Sequence, residues 1–164
     1  MLGAGLRRIV GLCTASRSPM AYIRYLTDIH IHFGAVELLS AECARVGIAR
    51  PLIVTDAGVR AAGVLAQAEA ALEGLPVAVF DGTPANPTEA RIRAAMALLQ
   101  RERCDGLVAV GGGSSIDLAK GVAIAARHEG PLKRYATIEG GSARITEATL
   151  PLLAVPTTAG TGSE

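Results

Sequence analysis

The sequence predicts an α/β protein built on a doubly wound, mostly parallel sheet with a Rossmann-like arrangement. Three observations carry that expectation. From about Tyr22 onward, strand-like and helix-like segments alternate in repeated β-α-β order. The strand-like runs are nearly continuous in apolar residues, as expected where helices cover both faces of a sheet. Half the residues are hydrophobic, but alanine supplies many of them and aromatics are only 3%. Small side chains let helices pack closely on a sheet, which suits α/β layers better than a β-sandwich.

The elements follow in order. Ile29–Phe33 reads as a short strand and Ala35–Val46 as a helix ending at Gly47. Pro51–Thr55 is strand-like, and a helix is expected from about Val59 to Leu72. Val77–Phe80 is a further strand, closed by Asp81-Gly82. Asn86-Pro87-Thr88-Glu89 offers an N-cap, a proline at the first helical position and a glutamate at the third. Ile92, Ala95, Met96 and Leu99 then give that helix its apolar face. Gly106–Val110 is a buried strand, and Ile116, Ala119, Val122, Ala123 and Ala126 recur at helical spacing behind it. Gly130–Thr149 is looser, with a turn and a hairpin expected around Gly140-Gly141. Leu150–Val155 is the last strand.

At 164 residues the chain suffices for one domain with a sizeable core. Residues 22–164 read as that domain, and residues 1–21 as a weakly ordered extension. A net charge of +1 with no basic block gives no sign of nucleic-acid binding. No apolar stretch nears the roughly 18 residues of a membrane span. Cys13, Cys43 and Cys104 are odd in number and widely spaced, which suits free thiols in a reducing cytoplasm. Thr161-Gly162-Ser163-Glu164 looks like a turn that leads into a further helix, so a domain is expected to follow.

The chemistry concentrates at Gly111-Gly112-Gly113-Ser114-Ser115, between a strand and a helix. Glycines there let a backbone approach a ligand that any Cβ would hold away. The helix start behind them offers free N–H groups and a positive dipole end, both of which favour phosphate. A tight turn with Ser114 or Ser115 as N-cap is the structural alternative. The motif is neither G-x-G-x-x-G nor a P-loop. Asp56 ends a strand, where a carboxylate accepts from ribose hydroxyls or closes an Asx turn. Thr157, Thr158 and Thr161 follow a strand end, the general position for ligands in open α/β sheets. Asp117 lies in a first helical turn and suits the dipole. Lys120, on the same helix face, is placed to reach a phosphate, to pair with Asp117, or to face solvent. Asn86 reads as an N-cap. His30 and His32, one residue apart on a strand, would share a face and resemble the first metal-binding strand of amidohydrolases, though no further ligands follow. His128 suits a helix C-terminus.

GGGSSIDLAK at Gly111–Lys120 and PLLAVPTTAGTGSE at Pro151–Glu164 together resemble the iron-containing (group III) alcohol dehydrogenase family. Ile31-His32-Phe33-Gly34, Pro51–Asp56 and Pro84–Thr88 support the resemblance, which covers the chain from about Tyr22. It implies an N-terminal dinucleotide-binding domain and a separate all-helical domain, which this sequence lacks. In the family that helical domain holds a divalent metal, iron or zinc, through an aspartate and histidines, so no catalytic or metal-binding residue is assigned here. The resemblance implies NAD or NADP as cofactor, with NAD favoured by Asp56. It gives Gly112, Gly113 and Ser114 to the pyrophosphate, Gly111 and Ser115 to the same cofactor site, and Asp117 to the nicotinamide side. Asn86 would lie beside the cofactor, and Thr157, Thr158 and Thr161 against its adenine or nicotinamide portion. The complete enzyme would act on a small alcohol or carbonyl compound, as a homo-oligomer if its apolar faces pair. Dehydroquinate synthase and glycerol-1-phosphate dehydrogenase share a G-G-G turn and remain an alternative, as does a non-catalytic nucleotide-binding module.

Overall fold

The structure, a computed structural model, describes residues 27–163. The extension expected over residues 1–21 lies outside them. The chain divides into a unit ending at His30 and a compact unit from Ile31 onward, and all helices and strands among the described residues belong to the latter.

Four strands form one parallel sheet: β1 (Pro51–Val54), β2 (Ala78–Phe80), β3 (Gly106–Gly111) and β4 (Leu152–Pro156). Their spatial order is β2-β1-β3-β4, with β1 paired to both β2 and β3. Leu52 pairs with Ala78 on one side and Leu107 on the other. The chain therefore reverses its direction of travel across the sheet between β1 and β3, as the doubly wound class requires.

Strand residues alternate between the two faces, and each face has its own core. Leu52, Val54, Leu107 and Ala109 pack beneath α4 (Glu89–Arg101) and α5 (Gly113–Ala125), with Ala95, Leu99, Ile116, Leu118 and Ala119. Ile53, Val108 and Val110 face the opposite way, towards α1 (Leu39–Arg45) and the helix carrying Leu65, Ala68 and Leu72. Gly121 of α5 permits the contact with α4, since a Cβ there would lie 2.5 Å from Ile92 Cδ1. At the N-terminal end of the sheet, the Asp105 carboxylate accepts the backbone N–H groups of Ala49 (3.1 Å) and Arg50 (2.8 Å). Those bonds fix the entry to β1 against the entry to β3.

Several sequence expectations are corrected. Ile29–Phe33 forms no strand, and Ile31 and Phe33 are exposed. The apolar alternation is real but has no sheet neighbour among the described residues. The helix expected from Val59 to Leu72 is two, α2 (Ala57–Ala61) and α3 (Val64–Ala71), interrupted at Gly63, whose φ is 77°. Asn86 does not cap α4. Thr88 does, its hydroxyl accepting the Arg91 N–H at 3.4 Å, so the helix starts two residues later than the proline suggests. The hairpin around Gly140-Gly141 is instead a series of short 3-10 turns at Leu132–Tyr135, Thr137–Glu139 and Ser142–Arg144.

Candidate functional site

The C-terminal ends of β1 and β3 point into the crevice where the strand order reverses. In open α/β sheets ligands bind at this point, because loops on either side diverge and leave a gap. From β1 the crevice receives Asp56, and from β3 the glycine turn. The segment 157–163 after β4 forms its far wall, beginning where the Thr157 N–H donates to Gly111 C=O at 2.9 Å.

Each glycine of the turn is held by its neighbours. Gly111 has φ of 152°, a conformation side chains rarely adopt, and a Cβ there would lie 2.5 Å from Ser115 Oγ. A Cβ on Gly112 would lie 3.0 Å from Thr158 Oγ1, and one on Gly113 2.9 Å from Thr161 Cβ. The glycines thus admit the threonine segment against the turn. From sequence they have only a ligand to accommodate.

The helix behind them begins at Gly113 with Gly112 as N-cap, and neither Ser114 nor Ser115 caps it. The Ser115 and Ile116 N–H groups donate to Gly112 C=O. Helix geometry leaves the N–H groups of Gly113 and Ser114 without a carbonyl one turn back. The Ser114 hydroxyl donates to Ala85 C=O, so it reaches across to the loop after β2 instead of standing free. Ser115 is fully buried, which removes its side chain from direct ligand contact.

Asp56 takes the turn-closing role that the sequence offers and leaves its other oxygen to Ser115. It caps α2, with Oδ1 accepting from the Gly58 N–H at 2.9 Å and the Val59 N–H at 3.0 Å. Its other oxygen, Oδ2, lies 3.5 Å from Ser115 Oγ. Asn86 is exposed beside Ala85. Asp117 and Lys120 lie on the exposed side of α5, 4.0 Å apart. The Lys120 ammonium donates to Ser163 C=O at 2.6 Å, so it ties α5 to the threonine segment.

Asp56, Gly111–Ser115, Thr157, Thr158 and Thr161 therefore form one cluster at the C-terminal end of the sheet. Asn86 and Lys120 stand at its margins, linked to it through Ala85 and Ser163. The sequence reading misses Ser163, which is buried, and the carbonyl of Ala85, which carries no sequence signal. It also misses Thr55 and Thr83, whose buried hydroxyls have no hydrogen-bond partner among the described residues. Those two flank Asp56 in space, because the Thr83 N–H donates to Thr55 C=O at 3.3 Å. Among the described residues no group of three His, Cys, Asp or Glu side chains is placed to hold a metal ion. No helix there is long and apolar enough to cross a membrane.

Comparison with known proteins identifies the family of this fold. The family pattern described as iron-containing alcohol dehydrogenase matches residues 27–164. The chain is 68% identical over 145 residues to a 4-hydroxybutyrate dehydrogenase of Cupriavidus necator, covering 88% of this chain and 38% of that protein. It is 42% identical to a 1,3-propanediol dehydrogenase of Klebsiella pneumoniae, covering 79% of this chain and 34% of that one. A crystal structure of a 1,3-propanediol oxidoreductase superposes with a TM-score of 0.72 at 40% identity, over 80% of this chain and 34% of its own. A sulfoacetaldehyde reductase of Bifidobacterium kashiwanohense, solved in complex with NAD+, superposes with a TM-score of 0.69 at 28% identity, over 80% and 34%. The chain spans about a third of the length of these relatives. With its parallel sheet, its glycine turn and this match across most of its length, the chain belongs to the iron-containing alcohol dehydrogenase family.

Proposed function

We propose that the crevice binds a nicotinamide dinucleotide, NAD in preference to NADP, and that the complete protein oxidises a small alcohol or reduces the matching carbonyl compound. The observation that carries this reading is the glycine turn at the start of the thirteen-residue helix α5, at the point where the strand order reverses. Free N–H groups and the positive helix end both favour the pyrophosphate there. The fit extends to the ribose. The Oδ2 edge of Asp56 accepts from a hydroxyl and repels the extra phosphate that NADP carries. When bound, the nicotinamide supplies the hydride chemistry, and this chain's residues hold and orient the cofactor. Thr158 and Thr161 close the wall beside the turn. The described residues offer no donor set for the family's metal, so no step is derived through it. The free thiols Cys43 and Cys104 are consistent with a reducing, cytoplasmic setting.

Calorimetric titration with both cofactors tests the reading. Asp56→Asn keeps an oxygen for the α2 cap but removes the charge. It is expected to weaken NAD roughly tenfold, the worth of a charge-assisted hydrogen bond, while NADP is unchanged or improved. An unaltered ratio between the two cofactors would overturn the assignment.

A further inference from the structure

Ser115 is a serine whose side chain is fully buried inside the first turn of α5. A buried hydroxyl needs a partner, and among the described residues the only one it has is Asp56 Oδ2, at 3.5 Å. The same Oγ lies 2.5 Å from where a Cβ on Gly111 would be, so the missing side chain of Gly111 is what lets the serine and the aspartate meet. A carboxylate has about four acceptor sites. Two on Oδ1 are taken by the Gly58 and Val59 N–H groups, and one on Oδ2 by Ser115. One acceptor site is left.

We propose that Ser115 is a positioning residue, which holds the Asp56 carboxylate so that Oδ2 presents a single acceptor to one ribose hydroxyl and thereby sets the preference for an unphosphorylated ribose. The proposal rests on the dinucleotide reading above. Without the serine, the carboxylate keeps its charge but is held by the α2 cap alone, so Oδ2 rocks within the play that the two bonds to Oδ1 allow. A hydroxyl then loses a fixed acceptor, and a phosphate loses a fixed repulsion. The ratio of affinities shifts more than either affinity alone.

The test measures NAD and NADP affinities by calorimetry for the wild type, Ser115→Ala, Ser115→Cys, Asp56→Asn and the Ser115→Ala/Asp56→Asn double variant, with thermal melts to confirm folding. Both Ser115 variants are expected to lower the NAD-to-NADP affinity ratio roughly three- to tenfold, about 0.7–1.4 kcal/mol. Ser115→Cys fills the Oγ position with a somewhat larger thiol, a much weaker donor, and covers the case in which the alanine variant is unstable. In the Asp56→Asn background the serine change should have no further effect on the ratio. A purely structural serine would weaken both cofactors alike and leave the ratio unmoved, which overturns the proposal. An altered ratio in Asp56→Asn with none in either Ser115 variant overturns the positioning role and leaves the dinucleotide reading standing. A wild-type protein that binds neither cofactor, or an unmoved ratio in Asp56→Asn, overturns both.

Discussion

A single methyl group is enough to probe Gly113. Built on its backbone, a Cβ would sit 2.9 Å from Thr161 Cβ and 3.1 Å from Ser163 Oγ, so the threonine segment must retreat before any side chain fits. Gly113→Val is expected to weaken dinucleotide binding by about tenfold or more and to cost about 1–3 kcal/mol of stability through overpacking. Adding Thr161→Gly, which removes the Cβ that is met, should return part of that stability, measured by urea unfolding; no recovery would show that the valine strains something else. Cys104 makes a different prediction. Burial, then the nearby Glu102 and Asp105 carboxylates, push its thiol from the ordinary 9.0 up to about 11. Because the folded value is the higher, the thiol's contribution is complete below about pH 9 and is lost as pH rises towards about 11. Wild type should therefore lose stability more steeply than Cys104→Ala between those values, and parallel profiles would refute it. At this scale the sequence is legible wherever a residue acts through its own backbone type. The glycine turn and Asp56 can be found that way. Ser115 reads as a surface N-cap because its burial depends on Gly111 and Asp56, which lie on the turn before it and on another strand.

Helix ends and connections show where sequence pattern stops short. In Asn86-Pro87-Thr88-Glu89 the proline marks Asn86 as the cap, whereas Thr88 takes that place in the fold. The break at Gly63 is hidden because the apolar spacing continues through it. His128, whose sequence position suits the helix dipole, has a more specific task. Its Nε2 accepts the Thr146 N–H at 3.0 Å, which leaves Nδ1 to donate to Ile124 C=O at 3.0 Å. Its ring meets Tyr135 edge-on at 5.3 Å, and the Tyr135 hydroxyl donates to Glu129 C=O. The imidazole thus fastens the 3-10 turns to the end of α5. His128→Ala should cost about 0.5–1.5 kcal/mol locally by removing these hydrogen bonds. Amide hydrogen exchange is the measurement: protection at Thr146 and its neighbours should fall while β1 and β3 stay protected. Equal loss throughout would mean the ring supports the whole domain.

For the molecule as a whole, the fold class is readable because buried parallel strands announce themselves as unbroken apolar runs. Each of β1 to β4 lies within two residues of its expected bounds at either end. The crevice follows from the strand order, which no local pattern states. The metal chemistry of the family is a separate matter. Residues 1–164 dialysed against buffer after loading with Zn²⁺ or Fe²⁺ are expected to retain no stoichiometric ion, because catalytic sites use about three converging protein ligands. Retention at one ion per chain would place such a site in this sequence. The pairing of β1 with β3 also bears on how the chain reaches this state. Leu52 must find Leu107, a longer loop than separates it from Ala78 or separates Leu107 from Leu152. Closing that loop carries the largest chain-entropy cost of any seam in the sheet. The crevice lies across that same seam, so any compact intermediate in which these strands have not met has nowhere for a dinucleotide to dock. The cofactor would then act as a selective stabiliser of finished molecules, drawing the population towards the native state by mass action without speeding the search for it.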